Sequence, residues 1–369
     1  MPELYIGLMS GTSLDGVDGV LADFSHAKPL VMGHASRPFS SGLRSELLAL
    51  NTSGGDELHR AALAGNSLVR VYADVVHELL AGAGVPATAV VAIGAHGQTV
   101  RHRPQEFGGT GYTLQLNQPA LLAELTGIDV VADFRSRDIA AGGQGAPLAP
   151  FFHQSLFAQP GQAIGVLNIG GISNITLLHA DGSMLGFDCG PGNALIDSWC
   201  QQHKGQDFDS EGNWAACGSV LPALLARLRS EPYFSRLPPK STGRDLFNRA
   251  WLDGRLLDFH AASPQDVQAT LTELTASACG GDVLRYEPQL KRLIVCGGGA
   301  FNSYLMQRLK SLLPGVEVRS SEQFGLPPLQ VEGTAFAWLA RKTVRREKLE
   351  LQSTTGARGA RVLGCIYPA

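Results

Sequence analysis

Two segments of this chain repeat the same order of a short apolar strand, a glycine-rich turn and a second strand. The first passes from residues 4–9 through Ser10-Gly-Thr-Ser-Leu-Asp-Gly into the alternating run 17–24. The second passes from residues 163–168 through Gly170-Gly-Ile-Ser-Asn into residues 175–179. Each pattern predicts a β-hairpin. A separation of about 160 residues is too long for a solenoid period, so the pattern favours two related domains that each open with this hairpin.

Between and after the hairpins, helix-like and strand-like segments alternate. Apolar residues at helical spacing, together with end signals, predict helices over 57–80, 119–125, 302–313 and 331–344. Short apolar runs predict strands over 90–95, 128–132 and 293–296, and the tail 361–367 is a candidate edge strand. This alternation of strands and helices predicts an α/β architecture.

The composition argues against several classes of protein. With 30 Lys and Arg against 33 Asp and Glu, the net charge of −3 provides no electrostatic footprint for nucleic acid or an anionic membrane. We find neither a signal-peptide pattern nor an uncharged apolar run of about 18 residues. The six cysteines form no C-x-x-C pair, which predicts free thiols in a reducing cytoplasm and no structural metal. Glycine is in excess, with 44 residues of 369, and it falls in clusters.

The turn of the first hairpin has the chemistry of a phosphate-binding loop. Its glycines allow close backbone approach, and exposed N–H groups in such a turn form an anion nest. Thr12 and Ser13 add hydroxyl groups, while Asp15 and Asp18 could hold a hydrated Mg²⁺. The loop lacks the lysine of a Walker A sequence, and an ordinary hairpin turn is the alternative interpretation. The second turn has the same chemistry, and the pair favours two turns that close on a polyphosphate.

A third glycine cluster, Cys296-Gly-Gly-Gly-Ala-Phe-Asn, lies between a predicted buried strand and a predicted helix. Three glycines there would let a flat ligand lie against the backbone near a helix N-terminus. The pattern differs from the G-x-G-x-x-G of a Rossmann loop and comes late in the chain, so we do not favour a dinucleotide site. The candidate ATP-binding residues are therefore Gly11, Thr12, Ser13, Leu14, Asp15, Gly16, Val17, Asp18, Gly170, Gly171, Ser173, Asn174, Gly297, Gly298, Gly299 and Asn302.

Asp188 is the candidate general base. It stands in Gly186-Phe-Asp-Cys-Gly-Pro-Gly-Asn, a tight segment that leads into a helix containing Leu195 and Trp199. A carboxylate beside a phosphate loop is well placed to take a proton. The alternative is a turn-capping aspartate, which is the commoner role of Asp beside Gly.

Other polar residues follow predicted strands, where α/β proteins commonly bind ligands. His96-Gly-Gln-Thr follows one strand, and Asp133-Phe-Arg-Ser-Arg-Asp follows another. Glu332 is a lone acid that opens an apolar helix, where it could be a first-turn charge or face a cleft. A buried, satisfied histidine is the alternative for His96. The candidate substrate-binding residues are His96, Gln98, Thr99, Arg135, Arg137 and Glu332.

Longer motifs connect these segments: Met9-Ser-Gly-Thr-Ser-Leu-Asp-Gly, His96-Gly-Gln-Thr, Asp133-Phe-Arg, Ala141-Gly-Gly-Gln-Gly-Ala-Pro, Asn168-Ile-Gly-Gly, Gly186-Phe-Asp-Cys-Gly-Pro-Gly-Asn, Lys240-Ser-Thr-Gly-Arg and Cys296-Gly-Gly-Gly-Ala-Phe-Asn. Taken together, the chain resembles the anhydro-N-acetylmuramic acid kinase family. The resemblance implies the duplicated, ribonuclease H-like fold of sugar kinases, actin and Hsp70, with ATP bound in the interdomain cleft. It also implies a homodimer.

The resemblance further implies the reaction. The family opens the 1,6-anhydro bridge of 1,6-anhydro-N-acetylmuramic acid by hydrolysis and phosphorylates O6, yielding N-acetylmuramic acid 6-phosphate in cell-wall recycling. Asp188 matches the family's catalytic base, and Glu332 with residues 96–99 and 133–137 would line the sugar pocket. Mg²⁺, held through water by Asp15 and Asp18, would accompany the ATP.

We expect an N-terminal domain of residues 1–132 with the tail 353–369, and a C-terminal domain of residues 133–352. A kinase of another sugar or of a carboxylic acid on the same fold is the alternative enzyme. An ATP-gated binding protein like Hsp70 or actin is the alternative from another class, although this chain has no spare length for a separate substrate-binding domain.

Overall fold

The computed structural model describes residues 2–11, 13–243 and 246–369. The strands of these residues are β1 (Leu4–Met9), β2 (Gly16–Asp23), β3 (Leu30–Pro38), β4 (Val90–Ala95), β5 (Gln98–Pro104), β6 (Gly111–Leu116), β7 (Val130–Ala132), β8 (Ile164–Ile169), β9 (Ile172–Leu178), β10 (Met184–Pro191), β11 (Arg292–Cys296), β12 (Glu317–Ser320) and β13 (Cys365–Tyr367). The helices are α1 (Ser41–Ala49), α2 (Glu57–Ala83), α3 (Pro119–Thr126), α4 (Ser136–Ala140), α5 (Ala149–Phe157), α6 (Ala194–Lys204), α7 (Asn213–Ala216), α8 (Pro222–Arg229), α9 (Arg249–Leu256), α10 (Pro264–Tyr286), α11 (Ser303–Leu312) and α12 (Val331–Val344).

The chain divides into two compact units. Unit 1 contains residues 1–152 and 329–369, and unit 2 contains residues 153–328. These units are defined by internal contacts, and the domain boundaries that we expect from the sequence stay a prediction.

Unit 1 is built on a six-stranded sheet in the order β13-β7-β4-β1-β2-β3. The hairpin β1–β2 is antiparallel, with Leu4 opposite Asp23 and Met9 opposite Asp18, and β2 pairs antiparallel with β3. Strands β4 and β7 then extend the sheet in parallel with β1. The predicted edge strand in the tail is confirmed, because β13 pairs antiparallel with β7 at the end of the sheet.

Helices α2 and α12 contribute the main apolar surfaces of unit 1. Helix α2 buries one face, including Leu68, Tyr72 and Val76, in a core shared with β1 and β2. Helix α12 crosses β1 so closely that a Cβ on Gly7 would lie 1.9 Å from the carbonyl oxygen of Gly333. Glycine at position 7 is therefore required for the close crossing of helix and strand.

Unit 2 repeats the strand order of unit 1. Its sheet runs β10-β9-β8-β11-β12, with β8–β9 and β9–β10 antiparallel and β8–β11 and β11–β12 parallel. In both units, the first three strands along the chain pair antiparallel with one another. Two further strands then extend the sheet on the other side of the first strand, parallel to it. The predicted duplication is confirmed by this shared topology.

The structure also contains elements that the sequence patterns did not predict. Helix α10 is buried around its circumference, from Val267 to Val283, so it lacks the apolar stripe that marks a surface helix. The hairpin β5–β6 mixes exposed and partly buried residues and forms a separate two-stranded sheet. The formation of α10 and of the hairpin β5–β6 therefore depends on packing against other elements.

Candidate active site

The turn of the first hairpin connects β1 and β2 in unit 1. The N–H of Leu14 donates to the carbonyl of Gly11 at 3.2 Å, and Leu14 adopts a left-handed φ of 58°. The side chains of Leu14 and Val17 are buried in the core of unit 1, so their backbone is the part available to a ligand at this turn. Thr12, a candidate ATP-binding residue, lies outside the described residues.

Gln98 connects this turn to the start of β5. Its amide Nε2 donates to the carbonyl of Gly11 at 3.1 Å, and its side chain is fully buried. Within the described part of the chain, Gln98 Oε1 and His96 Nδ1 have no hydrogen-bond partner. Buried polar atoms without partners are rare in folded proteins and call for an explanation such as a ligand. Thr99, the third candidate in this segment, accepts a hydrogen bond from Gln115 Nε2 at 3.2 Å.

The carboxylates of Asp15 and Asp18 contact two different basic side chains. Asp15 is exposed and lies 3.6 Å from Arg44, whereas Asp18 Oδ1 lies 3.5 Å from Nε2 of His34. No cluster of three or more His, Cys, Asp or Glu side chains suited to a metal occurs in residues 2–11, 13–243 and 246–369. Mg²⁺ usually keeps several waters and takes only one or two carboxylates besides substrate phosphates, so this donor set fits a hydrated ion.

His96 and Arg135 form a connected pair at the ends of β4 and β7. The Nε2 atom of His96 accepts from Arg135, with Nη2 at 2.8 Å and Nε at 3.2 Å. Arg135 Nη1 also donates to the carbonyl of Gly145 at 2.7 Å. Burial, reinforced by the neighbouring Arg135, lowers the pKa of His96 to about 3. His96 is therefore a neutral imidazole at physiological pH.

Glu332 lies in the first turn of α12, one helical turn before Phe336. The ring of Phe336 lies 4.8 Å from the ring of His96 and 5.6 Å from that of Phe134. Residues four apart share one face of a helix, so Glu332 and the His96–Arg135 pair belong to the same region of unit 1. Arg137 lines a groove of about 740 Å³ with Asp133, Lys348 and Arg361.

The glycine loop that follows Ala141 wraps around a buried carboxylate. Asp138 is fully buried and accepts from the N–H of Gly145 at 2.6 Å and from the hydroxyl of Thr355 at 2.5 Å. A Cβ on Gly143 would lie 2.2 Å from Asp138 Oδ2, so only glycine fits there. The same loop contains Gly145, whose carbonyl accepts the hydrogen bond from Arg135 Nη1.

The turn of the second hairpin is held by the Gly-Pro-Gly segment of unit 2. The N–H of Asn193 donates to the carbonyl of Gly170 at 2.8 Å, and that of Gly192 donates to Gly171 at 2.9 Å. Ser173 is fully buried, and among the described residues its hydroxyl has no partner. The backbone of this turn is therefore fixed, while one hydroxyl beside it stays unsatisfied.

The third glycine cluster packs against the same turn. Gly297 has a φ of 77°, and a Cβ there would lie 2.4 Å from Asn168 Oδ1. A Cβ on Gly299 would likewise lie 2.4 Å from Cγ2 of Ile169. Asn302 caps α11, since its Oδ1 accepts from the N–H of Leu305 at 2.9 Å. The structure thus brings the candidate ATP-binding residues of unit 2 together.

Asp188 lies on β10 directly opposite Asn174 of β9, next to the second turn. The pairing register shifts between Asp188 and Gly190, and bulges of this kind re-aim side chains near active sites. The carboxylate oxygen Oδ2 accepts from the N–H of Thr242 at 3.0 Å. Asp188 is partly buried, and the hydrogen bond from Thr242 helps to fix the orientation of its carboxylate.

Three groups near Asp188 have no role that the sequence predicts. The hydroxyl of Tyr233 donates to the backbone carbonyl of Asp188 at 2.7 Å. Burial, together with the charge of Asp188, raises the pKa of Tyr233 above its usual range, so this phenol stays protonated. Lys240 was noted only within a family motif, and Asp282 lies on a helix without a sequence pattern.

Residues 341–348, at the end of α12 and just after it, are rich in Lys and Arg, and several of these side chains are ion-paired. Lys342 contacts Glu347, and Arg345 contacts Glu3 with Nη2–Oε2 at 2.7 Å.

Among the helices of the described residues, none is long and apolar enough to cross a membrane.

Two ribonuclease H-like sheets, each with a glycine turn in its first hairpin, define the class of the sugar kinases, actin and Hsp70. The comparison with family models matches residues 3–369 to the anhydro-N-acetylmuramic acid kinase family. An anhydro-N-acetylmuramic acid kinase from Variovorax paradoxus is 66% identical over 100% of this chain and 99% of the relative. Another from Albidiferax ferrireducens is 62% identical over the full length of both chains. This chain belongs to the anhydro-N-acetylmuramic acid kinase family.

Among solved structures, the ADPNP-bound activator of 2-hydroxyisocaproyl-CoA dehydratase from Clostridium difficile matches 93% of this chain and 96% of its own. The TM-score is 0.49 and the sequence identity is 11%. The sheet orders of the two units, rather than this distant match, define the fold. Family membership makes the protein an enzyme, a kinase that uses ATP and a small-molecule substrate.

Proposed function

We propose that the protein converts 1,6-anhydro-N-acetylmuramic acid, ATP and water into N-acetylmuramic acid 6-phosphate and ADP, as part of peptidoglycan recycling. The observation that carries this proposal is the position of Asp188. Asp188 is partly buried and lies opposite Asn174 at the second glycine turn, and its carboxylate is held by the N–H of Thr242. A fixed carboxylate beside a phosphate-binding turn suits one proton transfer coupled to one phosphoryl transfer.

In this mechanism, Asp188 takes a proton from a water molecule as the water oxygen forms a bond to C1 of the sugar. The bond between C1 and O6 breaks, and O6 forms a bond to the γ-phosphorus of ATP as ADP departs. The proton on Asp188 then passes to solvent. Because the bridge oxygen leaves directly onto phosphorus, no separate acid is needed to protonate it.

The ATP-binding residues are proposed separately for each unit. In unit 1, the backbone of the first turn and the hydroxyl of Ser13 would contact phosphate. In unit 2, the turn at Gly170 and the cluster 297–299 would contact the nucleotide, and the unsatisfied hydroxyl of Ser173 supports this assignment. Backbone N–H groups of such turns bind anions without a lysine.

Mg²⁺ is proposed to accompany ATP, with Asp15 and Asp18 holding it through water. The ion would supply neutralisation of the negative charge on the transferring phosphoryl group. The carboxylate of Asp15 is exposed, and this leaves it accessible to a hydrated ion.

The sugar-binding residues are proposed to be those around His96 and Glu332. As a neutral imidazole that accepts from Arg135, His96 carries its proton on Nδ1 and can donate it to a sugar oxygen. Gln98 Oε1 can accept from a hydroxyl or an amide. The carboxylate of Glu332 and the guanidinium groups of Arg135 and Arg137 would complete recognition of the polar sugar.

We also propose that the enzyme is a cytoplasmic homodimer. All six cysteines are free thiols, which supports a reducing compartment. The dimer is proposed on family membership.

The decisive experiment is an assay of ATP consumption with the anhydro sugar, with ordinary N-acetylmuramic acid, and with no sugar. We expect ADP only with the anhydro form. Phosphorylation of ordinary N-acetylmuramic acid alone would instead identify a kinase of another sugar, and sugar-independent turnover would indicate an ATP-gated binding protein. Running the reaction in ¹⁸O water should place the label at C1 of the product, and label in the phosphate would refute the coupled mechanism.

A further inference from the structure

Unit 2 contains a buried ion pair directly behind Asp188. The ammonium of Lys240 lies 3.2 Å from Oδ2 and 3.4 Å from Oδ1 of Asp282, on α10. The two side chains are only 2% and 8% exposed. Lysine is almost never fully buried unless it is paired, because removing its charge from water is costly.

Aromatic rings enclose the same ammonium. The Nζ atom of Lys240 lies 5.3 Å from the ring centre of Phe187 and 5.2 Å from that of Tyr233. A cation within about 6 Å of an aromatic face is attracted to it, and more strongly where water is absent. The side chain of Lys240 is thus held by one carboxylate and two rings, which leaves it little freedom to move.

The backbone next to this side chain holds Asp188. The carbonyl of Lys240 accepts from the N–H of Asp188 at 3.1 Å, and two residues later the N–H of Thr242 donates to Asp188 Oδ2 at 3.0 Å. Tyr233, whose ring packs on the ammonium, donates its hydroxyl to the carbonyl of Asp188. The contacts that orient Asp188 therefore come from the backbone at and near Lys240 and from the ring that packs on its buried ammonium.

We propose that Lys240 is a positioning residue for the reaction: its buried pair with Asp282 fixes the segment 240–242, and that segment orients the carboxylate of Asp188. The proposal rests on the proposed role of Asp188 as the general base. Lys240 itself does not touch the reacting atoms. Its effect is transmitted through the hydrogen bond from Thr242.

Several other ionisable groups surround the pair and must be considered in a pH experiment. From β10, the thiol of Cys189 contacts Asp282, and from α10 the thiol of Cys279 contacts Cys189. Arg229 is close enough to act on Asp282, and Arg236 on Tyr233. Burial raises the pKa of Cys189 well above its usual range, so this thiol stays neutral in the working range of the enzyme.

The first test replaces Lys240 with methionine, which keeps the length of the side chain and removes its charge. We expect kcat to fall about 10-fold to 100-fold, because small misplacements of a catalytic group cost rates of this order. KM for both substrates should stay within about twofold, since no binding contact is removed. The acid limb of the kcat profile should move to higher pH, because a carboxylate that loses a backbone N–H is protonated more easily.

The matched control is Arg308→Met, which also removes a cation paired with a largely buried carboxylate of α10. Arg308 Nε lies 2.6 Å from Oε2 of Glu273, whose side chain is 8% exposed. We expect this variant to lose thermal stability while its kcat and pH profile stay as in the parent enzyme. The control separates a general loss of stability from a specific effect on Asp188.

If K240M fails to fold, the double variant K240M/D282L removes both charges and leaves no unpaired buried carboxylate. It should show the same lower kcat and shifted acid limb. A folded single or double variant with the parent kcat and pH profile would overturn the proposal. Asp188→Asn is assayed in parallel. Normal turnover in that variant refutes the role of Asp188 as general base. If Asp188→Asn loses turnover while K240M keeps the parent kcat and pH profile, only the role of Lys240 is refuted.

Discussion

The guanidinium of Arg135 donates to Nε2 of His96, with the two nitrogen atoms 2.8 Å apart. Arginine has no acceptor, so this contact places the imidazole proton on Nδ1. His96 is nearly fully buried, and protonation would put a second positive charge beside Arg135. The pair therefore holds a neutral histidine in a defined tautomer next to Phe336.

We predict that His96 does not titrate between pH 5 and 8. Burial and then the charge of Arg135 lower its pKa to about 3. The measurement is NMR of the histidine ring signals across this range. A ring signal assigned to His96 that moves with a midpoint near pH 6 would contradict the neutral imidazole.

We predict that buried His153 makes folding stability fall as the pH falls from 7 to 5. Burial lowers the pKa of His153 to about 3, so below pH 6.5 the unfolded chain takes up a proton that the folded chain does not. The loss is about 2 kcal/mol for this one group between pH 7 and 5. Denaturant unfolding of His153→Gln should therefore show a smaller decline than the parent protein.

The control for this experiment is His59→Gln, whose side chain is exposed on α2. Its unfolding free energy should decline with pH in parallel with the parent. If the unfolding free energies of His153→Gln and the parent decline equally as the pH falls, His153 takes up its proton in the folded state as well.

We predict that Asp188→Asn lowers kcat by about 10²–10⁴-fold, the usual contribution of a general base. The amide keeps the shape of the carboxylate but cannot take a proton from water. Product formation and nucleotide affinity should be measured together, and the affinity for ATP should persist. Asp181→Asn, an exposed turn residue that caps Ser183 before β10, is the matched control and should retain turnover.

We predict that Gly7→Ala destabilises the protein by about 1–3 kcal/mol, the range typical of an overfilled packed contact. The new Cβ would lie 1.9 Å from the carbonyl oxygen of Gly333 and 2.5 Å from the N of Ala337, and neither backbone atom can rotate away. Gly82→Ala on α2 meets nothing within 4 Å and should stabilise the helix by about 0.5–1 kcal/mol. Chemical denaturation measures the unfolding free energy of both variants. Equal unfolding free energies for Gly7→Ala and Gly82→Ala would contradict the close crossing of β1 and α12.

We predict that Thr355→Val costs about 1–3 kcal/mol, because it leaves a buried oxygen of Asp138 without its donor. The hydroxyl of Thr355 lies 2.5 Å from Asp138 Oδ1, and both residues are fully buried. Burial already raises the pKa of Asp138, and the hydrogen bond from Thr355 opposes that rise. Thr355→Ser keeps the hydroxyl and should melt close to the parent, whereas equal losses in both variants would assign the effect to packing alone.

Much of the fold is readable from local patterns. The hairpins β1–β2 and β8–β9 follow from apolar runs on either side of turn residues. Helix α3 begins at Pro119 and ends before Gly127, which adopts the left-handed φ of 65° expected of a helix end. Helix α12 begins and ends at its predicted bounds, Val331 and Val344. These signals depend on residues close in sequence, so they need no knowledge of the tertiary structure.

Helix α10 and strand β12 are different. The first is buried on all sides, and the second is a short polar strand that forms only by pairing with β11. Neither has a periodic pattern, because the burial of each residue is set by elements far away in the sequence.

The same division applies to the candidate site. The sequence by itself determined that two glycine turns, a third glycine cluster and the lone carboxylate of Asp188 are present, since each is a local combination of residue types. Only the tertiary structure decided that Lys240 is buried against Asp282, that Thr242 donates to Asp188, and that His96 is kept neutral by burial beside Arg135. These properties depend on exclusion of water and on distances between remote residues, and both arise only when the chain has folded.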